Sequence, residues 1–309
     1  MCGNKVSAIH PHICIIILNW NGYAVTRDCL LSLQQICYPC FNIIIVDNGS
    51  TDNSVEKLSK EFNQIDYYPL DKNFGFTGGN NKGIVYVLNK YNPDYFLLLN
   101  NDTEVKSNFL EMLVIPFLTN KSVYATVPKI YFFNKKDTIW YAGGKVSKFS
   151  GIVTEFGKFK KDAPANSIQK PVGFVNGCAV LLSSKAINEI GLLDEQFFAY
   201  SEDTDYSLRI ITSNHLMVYV PTAIVYHKVS YSFNNKANWF KYYLATRNII
   251  LLQRKHLNKN LFPVFIVWFT LRWVLYLSVK QILLKQFKTV PAIVKGFYDG
   301  LTNTKRYEL

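Results

Sequence analysis

The sequence predicts an α/β fold in which a mainly parallel sheet carries helices on both faces, followed by a helical C-terminal region. Three observations predict it. Apolar runs too continuous to have a wet side, ICIIIL at 13–18, NIIIVD at 42–47 and YFLLL at 95–99, read as strands buried on both faces. Helix-patterned segments alternate with them, the order that builds a parallel sheet. Near residue 228 the composition changes: residues 1–227 hold 20 basic and 20 acidic residues, whereas 228–309 hold 14 and 2, the whole of the +12 formal charge.

Each element has its own justification. After the first strand, AVTRDCLLSLQQI has helical periodicity. After the second, NSVEKLSKEF starts with Asn53 as a candidate cap and Glu56 placed to reach back to it. IDYYPL is the third strand, and NFGFTGGNNKGI (73–84) reads as a glycine-rich loop leading into a helix. The fourth strand ends abruptly in Asn100, Asn101 and Asp102. Residues 131–172 break the alternation with short β-like pieces, a meander or hairpin flanking a site, in which Trp140 reads as a core residue. At 309 residues and 49% hydrophobic, the chain can bury a substantial core and is neither fibrous nor disordered.

Polar strand ends carry the functional signal. In open α/β sheets the ligand crevice lies outside the carboxyl ends of the strands. Here those ends deliver Asn19 and Asn21, then Asp47 and Asn48, then Asn100 to Asp102. Such groups are costly to bury unpaired, so three strand ends of this kind point to a polar, metal-linked ligand. Taken singly, Asn21 and Asn48 read as turn residues. His227 ends the apolar run AIVY and so also arrives at an edge. In FFAYSEDTDYSLR, Ser201 is a candidate helix cap, Glu202 and Asp203 fall in the first turn, and Asp205 stands four residues from Arg209, a spacing that pairs them.

Six stretches, VDNGSTDNS (46–54), NFGFTGGNNKGI, LLLNNDTEV (97–105), VNGCAVLLSS (175–184), FFAYSEDTDYSLR (197–209) and VYHKVSYS (225–232), resemble in order and spacing the pattern of family 2 inverting glycosyltransferases with the GT-A fold. The likeness is greatest to the rhamnosyltransferase-like branch and covers about residues 10–250. It implies a Rossmann-like nucleotide-diphospho-sugar transferase sheet. Asp47 is then similar to the aspartate that binds the nucleotide base, with Asn19 beside it. Asn73, Gly75, Gly78, Gly79, Asn80 and Asn81 lie along the donor, Asn100 and Asn101 beside them, and Arg247 is placed for phosphate. Asp102 matches the last residue of the D-x-D type motif that holds Mg²⁺ or Mn²⁺ on the donor diphosphate, with His227 as second ligand. Asn100 replaces the first acid of that motif. By the same resemblance Asp203 is the general base, with Glu202 as the alternative.

The tail complements this body. LFPVFIVWFTLRWVLYLSV (261–279) holds one charge, Arg272, and the following segment mixes Lys280, Lys285, Lys288 and Lys295 with apolar residues. Spanning would place Arg272 near mid-bilayer at about 2.5–3.5 kcal/mol, so a helix lying in an anionic interface is the favoured reading over a span or a solvated core helix. Domains are expected at 1–250 and 251–309. The expectation is a peripheral enzyme on the cytosolic side of the cell membrane, moving rhamnose from dTDP-rhamnose to a lipid-linked or glycan acceptor. A UDP-hexose donor and a non-catalytic sugar-nucleotide-binding scaffold remain as alternatives. Nucleic acid is disfavoured because the tail's aromatic residues sit in aliphatic runs rather than between basic ones. A nucleotidyltransferase is disfavoured because LNWNGYAVTRDC is not a basic phosphate loop. The six cysteines form no framework, and MCGNKVSAIHPH has no apolar signal region, which points to a reducing, cytosolic setting.

Overall fold

The computed structural model describes residues 10–229 and 238–304. Residues 1–9 and Ser230 to Ser232 of the sixth motif lie outside the described residues. Chain order begins β1 (Ile13–Asn19), α1 (Tyr23–Leu33), β2 (Phe41–Asp47), α2 (Ser54–Glu61), β3 (Asp66–Pro69), α3 (Gly75–Lys90), β4 (Tyr95–Asn100). The strands lie in the order β3, β2, β1, β4, all parallel, with Ile15 opposite both Ile43 and Leu97. Ile13 to Ile17 are fully buried, as expected of a strand covered on both faces.

The second half comprises β5 (Thr103–Val105), α4 (Phe109–Thr119), β6 (Val123–Phe132), β7 (Lys135–Tyr141), β8 (Gly144–Val146), β9 (Val153–Glu155), β10 (Lys170–Pro171), β11 (Ala179–Ser183), α5 (Ser184–Ile190), α6 (Glu202–Thr212) and β12 (Leu216–His227). β11 runs antiparallel between β4 and β6, and β12 pairs parallel with β6, so the sheet is mixed beyond β4. Because β11 runs against β4, the turn before it comes back to the edge where β1, β2 and β4 end. The irregular stretch contributes β7 to the sheet edge and a separate β8–β9 hairpin.

Two expected caps are replaced. Asn53 adopts left-handed backbone and its side chain caps nothing; Asp52 accepts from the Ser54 amide at 3.0 Å, and Glu56 pairs with Lys60 instead of reaching back. Ser201 is likewise left-handed without a side-chain cap bond. An N-cap residue normally has extended backbone, and neither of these left-handed residues does.

The C-terminal layer is α7 (Asn238–His256), α8 (Phe262–Phe269), a π-helical turn over 270–275, α9 (Tyr276–Leu283) and α10 (Thr289–Thr302). The boundary expected at residue 250 falls inside α7. α10 packs closely on α7 because Gly296 and Gly300 bare its backbone: a Cβ at Gly296 would meet the Tyr243 carbonyl at 2.5 Å. Asp205 ties this layer to the sheet. It pairs with Arg209 at 2.8 Å, as its spacing predicts, and also with Lys255 at 2.8 Å and His256 at 2.7 Å. Against the raising effect of burial, these partners hold its carboxyl below the usual range.

Candidate active site at the strand edge

At the end of β1 and β2, Asn19 stands opposite Asp47 in register. Asn19 is fully buried, and its amide donates to Asp47 Oδ1 at 2.8 Å and Ser54 Oγ at 2.9 Å while accepting from Thr26 Oγ1 at 2.8 Å. It therefore braces Asp47 and does not present itself to a ligand, a correction to the sequence reading. Asp47 also accepts from the Ser50 amide at 3.0 Å and its hydroxyl at 2.5 Å. A carboxylate has about four acceptor sites, so Asp47 retains capacity for one more donor.

The glycine-rich stretch is helix, not loop, from Gly75 onward. Its polar groups turn inward. Asn48 clasps the turn, donating to Asn73 Oδ1 and the Gly75 carbonyl, both at 3.0 Å, and accepting from the Phe74 amide. Asn73 Oδ1 also accepts from the Gly75 amide. Asn80 donates to the Phe76 carbonyl, and Asn81 exchanges bonds with the Leu193 backbone. Gly75, at φ +74°, is required by the neighbouring chain: a Cβ would lie 2.4 Å from the Phe198 carbonyl. At Gly79 it would meet Leu18 of β1, and at Gly78 the Phe74 side chain. These glycines fit the stretch against the protein itself, which corrects the expectation that they admit the donor.

Past β4, the Asn101 amide donates to Thr26 Oγ1 at 2.9 Å, while the half-buried Asn100 side chain makes no hydrogen bond among the described residues. Asp102 and His227, 125 positions apart, are brought together by β5 pairing with the end of β12, where Thr103 opposes His227 and the Lys228 amide donates to the Asp102 carbonyl. His227 Nε2 lies 3.1 Å from Asp102 Oδ1, too poorly aligned for a hydrogen bond, and Oδ1 and His227 Nδ1 are both buried without one. Trp140, half-buried, packs against the main core as expected and also meets the His227 ring edge-on at 4.6 Å, so it walls this corner. No group of three His, Cys, Asp or Glu side chains suited to a metal exists among the described residues. One carboxylate and one imidazole, left short of partners, fit a Mg²⁺ or Mn²⁺ ion that takes its other ligands from diphosphate oxygens and water.

Before α6, Tyr200 and Ser201 have φ +68° and +74° in succession. Such left-handed residues each cost about 1–3 kcal/mol and persist when surroundings fix them. Asn248 on α7 fixes them, donating to the Ala199 carbonyl at 2.9 Å and the Tyr200 carbonyl at 2.7 Å. The turn that results aims Asp203 at Gly177, whose amide donates to Oδ2 at 3.3 Å; Oδ1 accepts from the Thr204 amide at 2.7 Å. Burial raises the Asp203 carboxyl to about 6, with these hydrogen bonds pulling the other way. Glu202 is 6% exposed, its Oε2 lacks a partner, and burial followed by the neighbouring Asp203 pushes its carboxyl well above the usual range. Burial and the neighbouring carboxyl thus disfavour the charged form of Glu202 more than that of Asp203, which is raised to about 6. A cavity of about 20 Å³, room for about one water, adjoins both beside Phe76 and Tyr206.

Arg247 stands apart. It is fully buried, and its guanidinium donates to the Gln196 and Thr304 carbonyls and to Asn248 Oδ1. It anchors the C-terminal layer and supports Asn248, and this corrects its assignment to phosphate. Asn248, Gly177 and Thr204 were missed by sequence reasoning. Gly177 lies in the quoted V-N-G-C stretch, whereas nothing local distinguishes Asn248 from any other helix residue.

Asp47, Asp102 and Asp203 share one sheet edge. Asp47 ends β2, Asp102 follows β4 two strand spacings or about 10 Å away, and Asp203, in the first turn of α6, accepts from Gly177 on the turn leading into antiparallel β11, next to β4. An open α/β sheet with this edge has the plan of a nucleotide-binding enzyme.

The chain belongs to glycosyl transferase family 2, whose model matches residues 14–191. The low-salt glycan biosynthesis hexosyltransferase Agl10 of Haloferax volcanii is 22% identical over 94% of this chain and 91% of its own length. The rhamnosyltransferase WbbL of Escherichia coli K12 is 27% identical over 65% of this chain and 76% of its own. The N-acetylglucosaminyl-diphospho-decaprenol L-rhamnosyltransferase of Mycobacterium tuberculosis is 22% identical over 66% of this chain and 71% of its own. Among solved structures, GalNAc-T7 with UDP, GalNAc and Mn²⁺ superposes with a TM-score of 0.60 at 15% identity, covering 88% of this chain and 58% of that one. The mannosyltransferase PcManGT of Pyrobaculum calidifontis, with GDP-Man and Mn²⁺, gives 0.57 at 9%, covering 96% and 88%. The fold is therefore GT-A, and the chain is a glycosyltransferase.

Proposed function

We propose that the enzyme moves rhamnose from dTDP-rhamnose, with inversion, to a hydroxyl of a membrane-linked glycan or lipid acceptor in cell-surface polysaccharide synthesis. The observation that carries the mechanism is Asp203, raised to about 6 and held at the sheet edge by the Gly177 amide. A general base works best with its pKa near the operating pH. Asp203 takes the acceptor proton as that oxygen bonds to the anomeric carbon and the bond from that carbon to the diphosphate breaks. Glu202, buried beside it and pushed well above the usual carboxylate range, is the less readily ionised of the two. Asp47 offers its remaining acceptor capacity to the nucleotide base. Asp102 and His227 are the residues that would hold a divalent cation, which when bound stabilises the negative charge leaving on the nucleoside diphosphate.

The donor sugar and the lipid-linked acceptor rest on the rhamnosyltransferase relatives. A panel of labelled donors, with and without Mn²⁺, tests the reading: transfer or slow hydrolysis of dTDP-rhamnose is expected, turnover of a UDP-hexose alone would change the donor, and no turnover of any donor would leave a binding scaffold.

Peripheral attachment to the cytosolic face of the membrane is part of the same proposal. Among the described residues one helix, Phe262–Leu283, is long and apolar enough to cross a membrane. One face is committed to the protein: Phe265 and Phe269 are fully buried, Trp273 Nε1 donates to Thr246, and Gln281 donates to Tyr242. The opposite face exposes Val264, Val267, Leu271, Leu275, Val279 and Ile282 at helical spacing. A helix docked along one side supports lying in the interface over spanning. Val267→Asp with Leu271→Asp should release the protein from anionic vesicles, and unchanged partitioning would overturn this part.

A further inference from the structure

A second cavity, of about 230 Å³, lies away from the strand edge, between α7 and α10. Phe240 and Tyr243 form a buried aromatic floor, with Trp239 half exposed at its rim, and Lys288 at the start of α10 and Lys295 within it stand over it. The two lysines are seven residues apart, two turns along one helix face and about 10 Å in rise. Lys295 Nζ lies 5.5 Å from the Tyr243 ring centre, and among the described residues neither ammonium has a carboxylate partner. Two ammonium groups without carboxylate partners, above an aromatic floor, match a ligand that is anionic at one end and hydrocarbon at the other.

Placement narrows the ligand. One wall, α10, packs against α9 and carries exposed Val294 and Tyr298, with exposed Phe287 just before it. The other wall, α7, reaches the catalytic turn: Phe240 meets the Phe198 ring at 6.0 Å, and Phe198, Ala199 and Tyr200 pack against the apolar cluster that includes Phe240 and Tyr243. Phe198 is five residues before Asp203, at most about 18 Å of extended chain. We propose that this cavity seats the diphosphate and first isoprenoid unit of a polyprenyl-diphosphate-linked acceptor. The proposal rests on the lipid-linked reading of the acceptor and adds where its lipid end binds. Pockets for whole small molecules usually run about 300–1,000 Å³, so this one takes the head of the lipid while the remaining chain lies along the exposed apolar face. A bulk phospholipid headgroup needs only outward lysines, and a free anion has no use for an aromatic floor.

The test uses the full chain and farnesyl diphosphate as probe, measured by equilibrium dialysis. Wild type should bind it at least tenfold tighter than inorganic diphosphate or farnesol. Lys288→Ala with Lys295→Ala, both exposed, should weaken binding at least tenfold at unchanged circular dichroism, while the charge-matched control Lys121→Ala with Lys185→Ala should not. Three results would each overturn the proposal: equal affinity for inorganic diphosphate, which marks a free-anion site; displacement of the probe by phosphatidylglycerol vesicles, which marks a headgroup surface; or undiminished binding by the double variant. Donor hydrolysis by wild type, run alongside, reports on the transferase reading separately, since probe binding does not depend on it.

Discussion

Two parts of the same sheet edge differ in how far they satisfy themselves. Around Asp47, side-chain amides and hydroxyls bond one another: Asn19, Ser50, Ser54 and Thr26 form one network, and Asn48 and Asn73 Oδ1 another. Around the other two carboxylates, buried atoms lack partners, namely Asp102 Oδ1, His227 Nδ1 and Glu202 Oε2. Leaving such a group unsatisfied costs roughly 1–3 kcal/mol. The contrast teaches that the first region is built to hold one acceptor, Asp47, rigidly, while the second carries stress that a ligand can relieve.

The largest effect should come from the unsatisfied side. Asp203→Asn removes the base and should lower transfer about 10²–10⁴-fold while donor binding, read by calorimetry, persists; substantial residual turnover would move the base to Glu202. In wild type the active form is the carboxylate, so the rate should fall about tenfold per pH unit below about 6 and level off above it. Asp102→Asn should come next. Even outer-shell changes at metal sites cost roughly 10–100-fold, so Mn²⁺ titration of donor turnover should shift by at least that, and an unshifted curve would remove Asp102 from the metal site.

Asn248→Ala sharpens the comparison from behind the site. Without its two bonds the left-handed Tyr200 and Ser201 turn relaxes, and kcat should fall about tenfold, the equivalent of 1.4 kcal/mol, with the donor KM unchanged. A matching rise in donor KM would mean that the turn serves donor binding instead. The smallest effect on turnover belongs to the satisfied side: Asn19→Ala should cost about 1–3 kcal/mol of stability, seen in urea melts, with little change in kcat once the protein is saturated with donor.

Much of the parallel half-sheet was legible because β1, β2 and β4 are continuous apolar runs, and a run covered on both faces has no alternative reading. The strand-end residues were legible as a group but not in their roles. Asn19, Asn80, Asn81 and Arg247 have the chemistry of ligand contacts, yet each is spent on the protein, since a side chain's partner depends on which way the backbone turns it. The caps at Asn53 and Ser201 failed for that reason.

By itself the sequence determined the α/β class, the edge at which polar groups gather, the neutral body and the basic apolar tail, because burial pattern and charge are sums over local residues. Only tertiary structure decided that Asp102 meets His227, that Asn248 shapes the turn carrying Asp203, and that α10 returns onto α7 to leave a lysine-topped cavity. Each of those depends on chain segments distant in sequence being closed into contact, and their spacing along the chain carries no record of that closure.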